Sequence, residues 1–189
     1  MQEHGNIRLL RNPARIVPIS MNQGIRAARG RYILRVDGHC ELGPGYLARC
    51  LEILERDPTI WCCGGWIRTV NDTVTGRAIA EAMAHRFGVG GVRFRCGTDI
   101  GRDVDTLAFG MYRREAFERI GLFDEELVRN QDDELNLRIT RAGGRIYLDP
   151  SIHSVYYSRS DLRRLFRQYF EYGYWKVRVQ QKHGGIASL

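Results

Sequence analysis

Tyr32-Ile33-Leu34-Arg35-Val36-Asp37-Gly38-His39 is the stretch on which the reading of this chain turns. The apolar run 32–36 predicts a strand, and the triplet Asp37-Gly38-His39 follows just past its C-terminal end. Open α/β sheets place their ligands at that end. A carboxylate and an imidazole two residues apart can meet one divalent cation from the same side. The pair suits a borderline cation such as Mn²⁺ better than Ca²⁺, which prefers oxygen alone. Taken by itself the triplet is also an ordinary Asp-Gly turn. A second acidic cluster far along the chain, Asp132-Asp133-Glu134, gives it weight.

Outward from this stretch, strands and helices alternate. Ile7–Leu10, closed by Asn12-Pro13, reads as a strand running into a turn, and residues 18–28 as a helix stopped by Gly30. Leu47, Cys50, Leu51 and Leu54 recur at i, i+3, i+4 and i+7, so residues 45–55 form an amphipathic helix. Ile60–Ile67 reads as a buried strand, and Ile79, Ala82, Met83 and Phe87 mark another amphipathic helix. Residues 88–102 hold five glycines and three arginines with no sustained period. Gly88–Gly91 completes no phosphate-loop pattern and is expected to be a mobile loop. A strand is expected over 104–112, a helix over 114–119 and a loop over 121–129. A helix over 132–142 follows, stopped by Gly143-Gly144, then strands at 145–148 and 152–157. The last helix starts at Asp161, with Asp161 or Ser160 as its N-cap. The alternation predicts one α/β sandwich domain over residues 1–189, with a mostly parallel sheet.

The bulk numbers agree with one domain: 189 residues, 43% of them hydrophobic, can bury a single core. The net charge of +7 and a pI near 9.4 favour anionic partners. The five cysteines are odd in number, Cys62 and Cys63 are adjacent, and no CxxC occurs. That argues for a reducing cytosol over a secreted disulfide framework. The N-terminus has no signal-peptide apolar core, and no apolar run reaches bilayer length. A cytoplasmic chain is expected.

Five motifs occur in order: D-G-H at 37–39, V-D-T-L-A-F-G-M-Y-R-R-E-A-F-E-R-I-G-L-F-D-E at 104–125, N-Q-D-D-E-L-N-L-R at 130–138, D-P-S-I at 149–152 and R-Q-Y-F-E-Y-G-Y-W-K at 167–176. In that order they resemble a family 2 glycosyltransferase of the GT-A fold. Within the family they are most similar to the succinoglycan-biosynthesis type of bacterial exopolysaccharide transferase. The resemblance runs from about Ile7 to the end and implies a mostly parallel, mixed sheet flanked by helices. It implies that Asp37 and His39 hold Mn²⁺ or Mg²⁺ against the diphosphate of a nucleotide sugar, UDP-linked in the simplest case. Asp132 falls on the family's general base, and Gln131 stands where relatives carry a preceding acid. Asn22, Gly24 and Arg26 fall beside the donor nucleotide, and Asp105, Gln168 and Trp175 on the acceptor or loop side. The Q-x-x-R-W element of processive relatives is only echoed by Gln168-Tyr169-Phe170-Glu171, so processive synthesis is not expected. A late family histidine falls nearer Tyr156, with His153 the nearby alternative ligand. Relatives begin with a strand–helix–strand unit that this chain does not match, so an N-terminally truncated domain is expected.

Glycosyl transfer from a nucleotide sugar needs the leaving diphosphate neutralised, the acceptor hydroxyl deprotonated and the acceptor held in line. Asp37 and His39 serve the first need and Asp132 the second. One base without a clear nucleophile implies direct displacement with inversion. The plain alternative for Asp132–Glu134 is acidic residues favoured by a helix N-terminus, with Glu134 and Arg138 an i,i+4 pair.

The final helix, residues 161–183, concentrates Phe166, Tyr169, Phe170, Tyr172, Tyr174 and Trp175 among arginines and lysines. Aromatics on more than one face of a basic helix suit a peripheral membrane surface. The expected setting is the inner face of the cell membrane, with a saccharide or polyprenyl-linked acceptor. Two rivals stand beside this reading. One is a truncated transferase remnant without turnover. The other is a nucleic-acid-binding module, drawn from the charge and the arginine–aromatic interleaving. Against the latter, no nucleic-acid motif occurs, and the acidic clusters 124–126 and 132–134 repel phosphate.

Overall fold

The computed structural model describes residues 7–89 and 92–184. Along the chain come α1 (Val17–Ala27), β1 (Tyr32–Leu34), β2 (Cys40–Leu42), α2 (Tyr46–Arg56), β3 (Ile60–Val70), α3 (Val74–Ala84), α4 (Arg86–Val89) and α5 (Arg93–Cys96). They are followed by β4 (Arg102–Asp103), β5 (Met111–Arg113), α6 (Arg114–Ile120), α7 (Gln131–Arg141), β6 (Arg145–Tyr157) and α8 (Leu162–His183). The strands form one sheet of order β1-β5-β3-β6-β2, with β4 also paired to β6.

The sheet is mixed and flanked by helices, as expected, but its parallel part is narrower than the alternation of elements suggested. Only β3 and β6 pair in parallel among the described strands; β1–β5, β3–β5, β2–β6 and β4–β6 are antiparallel. Alternation reports that a helix separates two strands, not from which end the chain re-enters the sheet. β5 slots between β1 and β3 running against both, so β1, β3 and β6 share one direction.

Side-chain alternation builds a core on each face. Cys62 and its cross-strand partner Tyr112 join the cluster that holds Phe117, Phe123, Leu135 and Ile146. Cys63 and its partner Met111 join the opposite cluster, with Tyr46, Cys50, Ile53 and Leu54 of α2. Helix ends follow familiar rules. Pro18 lies in the first turn of α1. The Thr73 hydroxyl accepts from the Gly76 N–H at 3.0 Å, and the Asp161 carboxylate caps α8 by accepting from the Arg163 N–H at 2.7 Å.

Several expected boundaries move. Residues 7–12 carry no strand; Ile7 and Leu9 are exposed and nothing described pairs with them. β2 has no apolar alternation to announce it. Of the strand expected over 104–112 only β5 forms; residues 104–110, buried for the most part from Thr106 onward, are irregular and follow the two-residue β4. The helix ending near Phe87 splits into α3 and α4, and part of the expected loop 88–102 folds as α5. Gly90 and Gly91 of that loop lie outside the described residues. The two late strands are one: Asp149-Pro150-Ser151 reads as a turn but forms a bulge, where the register jumps from Gly65–Asp149 to Trp66–His153. A bulge tolerates Pro150, which has no N–H to donate. Burial works against the charge of Asp149. The Ser151 hydroxyl and N–H and the Arg49 guanidinium outweigh it and hold the carboxyl below its ordinary range.

Tyr46 ties α2 to the irregular segment. Its hydroxyl donates to the Phe109 carbonyl at 3.0 Å and accepts from the Gly65 N–H at 3.0 Å, fully buried. Tyr46→Phe strands both backbone groups. It is expected to lower unfolding stability by about 2 kcal/mol in urea melts; a loss within error of zero shows that water or relaxation replaces the hydroxyl.

Candidate active site

The C-terminal ends of β1, β3 and β6 open into a cavity of about 540 Å³. Arg35, Asp37 and His39 enter from beyond β1, Ile67 from β3 and Tyr156 from β6. Thr106, Leu107 and Phe109 come from the buried segment before β5, and Asn130–Asp133 from the start of α7. α5 contributes Phe94 and Arg95, and α8 closes the far side with Gln168, Tyr169, Tyr172 and Lys176. This is the strand end at which open α/β sheets bind ligands.

Two non-glycine residues at the rim adopt left-handed backbone. Asn130, at φ 59°, turns the chain into α7, and its side-chain amide donates to the Tyr172 carbonyl at 3.1 Å. Asn accepts this region more readily than most residues. Phe109 has φ 55°, a strained setting for a bulky side chain, and its carbonyl is held by Tyr46.

The acidic half of the cavity is organised by Arg35. Its Nε and Nη2 donate to the two carboxylate oxygens of Asp37, each at 3.0 Å, while Nη1 forms a close ion pair with Asp132. Burial works to lower the guanidinium, and the charges of Asp132 and Asp37 more than offset it, so the net shift is upward. Next along α7, burial raises the Asp133 carboxyl, the nearby Asp132 charge adds to that, and a 2.9 Å hydrogen bond from the Thr106 hydroxyl partly counters it. Glu134 turns away into the interior, hydrogen-bonded by Arg138 at 2.7 Å and 2.7 Å, with His183 Nε2 2.8 Å away. It has the structural part read from its i,i+4 spacing.

The opposite half is aromatic and basic. His39 meets the Tyr156 ring edge-on at 5.1 Å, and Arg95 covers the same ring at 5.5 Å. Arg159 donates to Gln168 at 3.1 Å, and Gln168 donates to the Tyr172 hydroxyl at 2.7 Å. Arg129 pairs with Glu171 at 2.9 Å.

Of the residues singled out from the sequence, Asp37, His39, Asp132 and Gln168 line this one cavity. Asp105 and Trp175 do not line it, though the Asp105 charge is felt at Asp133. Asn22, Gly24 and Arg26 lie elsewhere. Asn22 is a buried bracket, donating to the Phe123 carbonyl at 2.9 Å and accepting from the Phe123 N–H at 3.0 Å. Arg26 faces Glu125 at 3.9 Å, and the Gly24 carbonyl accepts the closing bond of α1. His153 stacks on Trp66 at 5.3 Å, outside the cavity lining, whereas Tyr156 sits beside His39. Arg35, Arg95 and Arg159 were not singled out for the site, whereas Tyr156 was named as the position of the family's late histidine. Only Arg35 carried a signal, a lone charge inside the apolar run Ile33–Val36.

Asp37 and His39 supply one carboxylate and one imidazole from the same short segment after β1. Among the described residues no group of three His, Cys, Asp or Glu side chains could hold a metal ion. Two protein donors with open positions fit a Mn²⁺ or Mg²⁺ ion that shares its remaining positions with phosphate oxygens and water.

The family model for glycosyl transferase family 2 matches residues 1–121. The chain belongs to that family. It is 30% identical over 192 residues to the succinoglycan biosynthesis protein ExoA of Rhizobium meliloti (strain 1021), an alignment covering 99% of this chain and 57% of that protein. It is 27% identical over 173 residues to a Methanococcus voltae dolichyl N-acetyl-alpha-D-glucosaminyl phosphate 3-beta-D-2,3-diacetamido-2,3-dideoxy-beta-D-glucuronosyltransferase, covering 89% of this chain and 53% of that one. The chain thus spans about half the length of these curated relatives. Its fold is similar to the crystal structure of GalNAc-T7 with UDP, GalNAc and Mn²⁺, with a TM-score of 0.60 and 17% identity, over 79% of this chain and 32% of that one.

Thr106 is the hydroxyl between Asp133 and the amide of Asn136, which donates to it at 3.0 Å. With its folded pKa raised, Asp133 opposes folding once ionised, so stability falls as pH rises from the ordinary carboxyl range through the folded value, and is level above it. Thr106→Val removes the bond that holds this carboxyl down. A carbon-13 carboxyl titration is expected to place Asp133 at higher pH than in the wild type; an unchanged midpoint shows that the hydroxyl does not act on it.

Proposed function

We propose that this chain carries the catalytic site of an inverting glycosyltransferase, which moves a sugar from a nucleotide-sugar donor to a hydroxyl of a saccharide acceptor. The observation that carries the reading is the meeting of Asp37, His39 and Asp132 in one cavity, from segments far apart in sequence. Asp37 and His39 would hold the divalent cation, which supplies Lewis-acid neutralisation of the leaving diphosphate. Asp132, in the first turn of α7 and steadied by Arg35, takes the proton of the acceptor hydroxyl as it attacks the anomeric carbon. With Asp132 as base and neither Asp37 nor Asp133 assigned as nucleophile, the reading is direct displacement with inversion. Phe94, Tyr156, Tyr169 and Tyr172 offer faces for a sugar ring, and the basic half suits a phosphate-bearing substrate. A UDP-linked donor and a polyprenyl-linked acceptor in surface-polysaccharide assembly agree with this lining and with the names of the relatives. Asp37→Ala is expected to abolish Mn²⁺ binding in calorimetry with UDP present. Asp132→Asn is expected to lower kcat by orders of magnitude while donor binding survives. Equal Mn²⁺ affinity in Asp37→Ala and the wild type defeats the metal assignment, and near-normal turnover of Asp132→Asn defeats the base.

The setting proposed is the inner face of the cell membrane. Among the described residues no helix is long and apolar enough to cross a membrane. One edge of α8 is fastened to the domain: Lys182 pairs with Glu126 at 2.6 Å and Arg129 with Glu171. Its other edge exposes Leu162, Phe166, Phe170, Tyr174 and Val177 in a single stripe, with Phe166 74% and Phe170 66% accessible. Arg163, Arg164 and Arg167 flank the two phenylalanines. Each cation near an anionic surface contributes about 1 kcal/mol, weakened by salt. The chain is expected to co-sediment with phosphatidylglycerol vesicles at low salt, and Phe166→Ser with Phe170→Ser to abolish this. Indifference to vesicles combined with tight single-stranded DNA binding at physiological salt overturns the membrane setting.

A further inference from the structure

The reading above uses Arg35 only to steady Asp132. It lies at the end of β1, and its backbone N–H donates to the Gly110 carbonyl at 3.3 Å, next to the strained Phe109. Its side chain is 16% exposed and forks over both oxygens of Asp37 while pairing with Asp132. A guanidinium withdrawn from water this far is costly unless its charge and its donors are matched. Here two carboxylates match it, and they are the two with separate duties in the proposed reaction.

We propose that Arg35 is a positioning residue that serves as the resident counter-cation of Asp37 and Asp132, spacing the metal-holding carboxylate from the base and competing with the divalent cation for Asp37. This rests on the metal and base assignments above. Three facts support it. The planar fork fixes the Asp37 carboxylate along both of its oxygens, so a cation approaching Asp37 and His39 meets a carboxylate already neutralised. The same guanidinium bonds Asp132, so any loosening at Asp37 is transmitted to the base through one rigid group. The backbone of Arg35 is held by the sheet edge, which keeps the guanidinium between the two acids. Arg35 touches no reacting atom in this scheme; it acts through the two carboxylates.

A purely structural ion pair and a competing counter-cation differ in one readout, metal affinity. Mn²⁺ binding to the 189-residue chain is measured by electron paramagnetic resonance of the free ion, with thermal midpoints recorded with and without Mn²⁺. Arg35→Met removes the charge and keeps the stem. It is expected to bind Mn²⁺ about tenfold more tightly than the wild type, because a like charge is removed from beside the site. Its midpoint without metal is expected to fall, and Mn²⁺ to restore more of it than in the wild type. Arg35→Lys keeps the charge without the fork and is expected to stay within about threefold of wild-type Mn²⁺ affinity. If Arg35→Met does not fold, Arg35→Gln takes its place with the same expectation. Equal or weaker Mn²⁺ binding by the neutral variants, beside a wild type that does bind, overturns the role of Arg35 and leaves the transferase reading standing. Mn²⁺ binding by neither wild type nor variants overturns the metal assignment and this inference together. Binding by the neutral variants but not by the wild type supports it.

Discussion

The parallel ladder between β3 and β6 is the constraint on which the remaining structure depends. It runs from Ile60–Arg145 to Val70–Tyr157 and brings together two segments far apart in the chain. Backbone approach this close is possible because β3 carries Gly64 and Gly65 at its middle. A Cβ on Gly65 would lie 2.1 Å from the Ile152 carbonyl oxygen, and one on Gly64 2.8 Å from the Tyr46 hydroxyl. The glycines therefore admit both the bulge at Asp149–Ser151 and the hydroxyl that holds Phe109. With β3 and β6 in place, β5 and β1 extend one edge, β2 and β4 share the other, and the ends of β1, β3 and β6 gather around one cavity.

Charge is distributed across that cavity in a way that suits a substrate with a sugar at one end and phosphates nearby. The acids Asp37, Asp132 and Asp133 lie together, but they are not equivalent. Asp37 and Asp132 share Arg35, while Asp133, half-buried beside them and bonded to Thr106, is pushed towards its neutral form. Two adjacent residues of one helix turn are thus given different electrostatic surroundings by partners from elsewhere in the fold. This is the ordinary route by which neighbouring carboxyl groups acquire different duties.

α8 joins the cavity to the surface. Gln168, Tyr169, Tyr172 and Lys176 face the cavity, and Phe166, Phe170 and Tyr174 face outward from the same turns. The aromatic excess noted in the sequence is therefore divided between a cavity wall and an exposed stripe, and only a little of it is core. The two lie about one helix diameter apart.

Much of this was legible in the order of residues. Local periodicity marked α2, α7 and the strand leading to Asp37, and the acids in the first turn of α7 followed from their spacing. The Asp161 cap and the Glu134–Arg138 pair were equally local. What local pattern does not contain is which distant groups meet. Asn22, read as beside the donor, brackets Phe123; Arg95 covers the Tyr156 ring beside His39; and the two late strands fuse through a bulge. The sequence by itself determined the longer helices, the strands leading to Asp37 and through Ile60–Ile67, and the identity of the acids, because those depend on neighbours a few residues apart. The tertiary structure alone decided that one strand-end arginine would lie between Asp37 and Asp132, because that depends on a sheet pairing and a helix packing that bring residues 35 and 132 into contact.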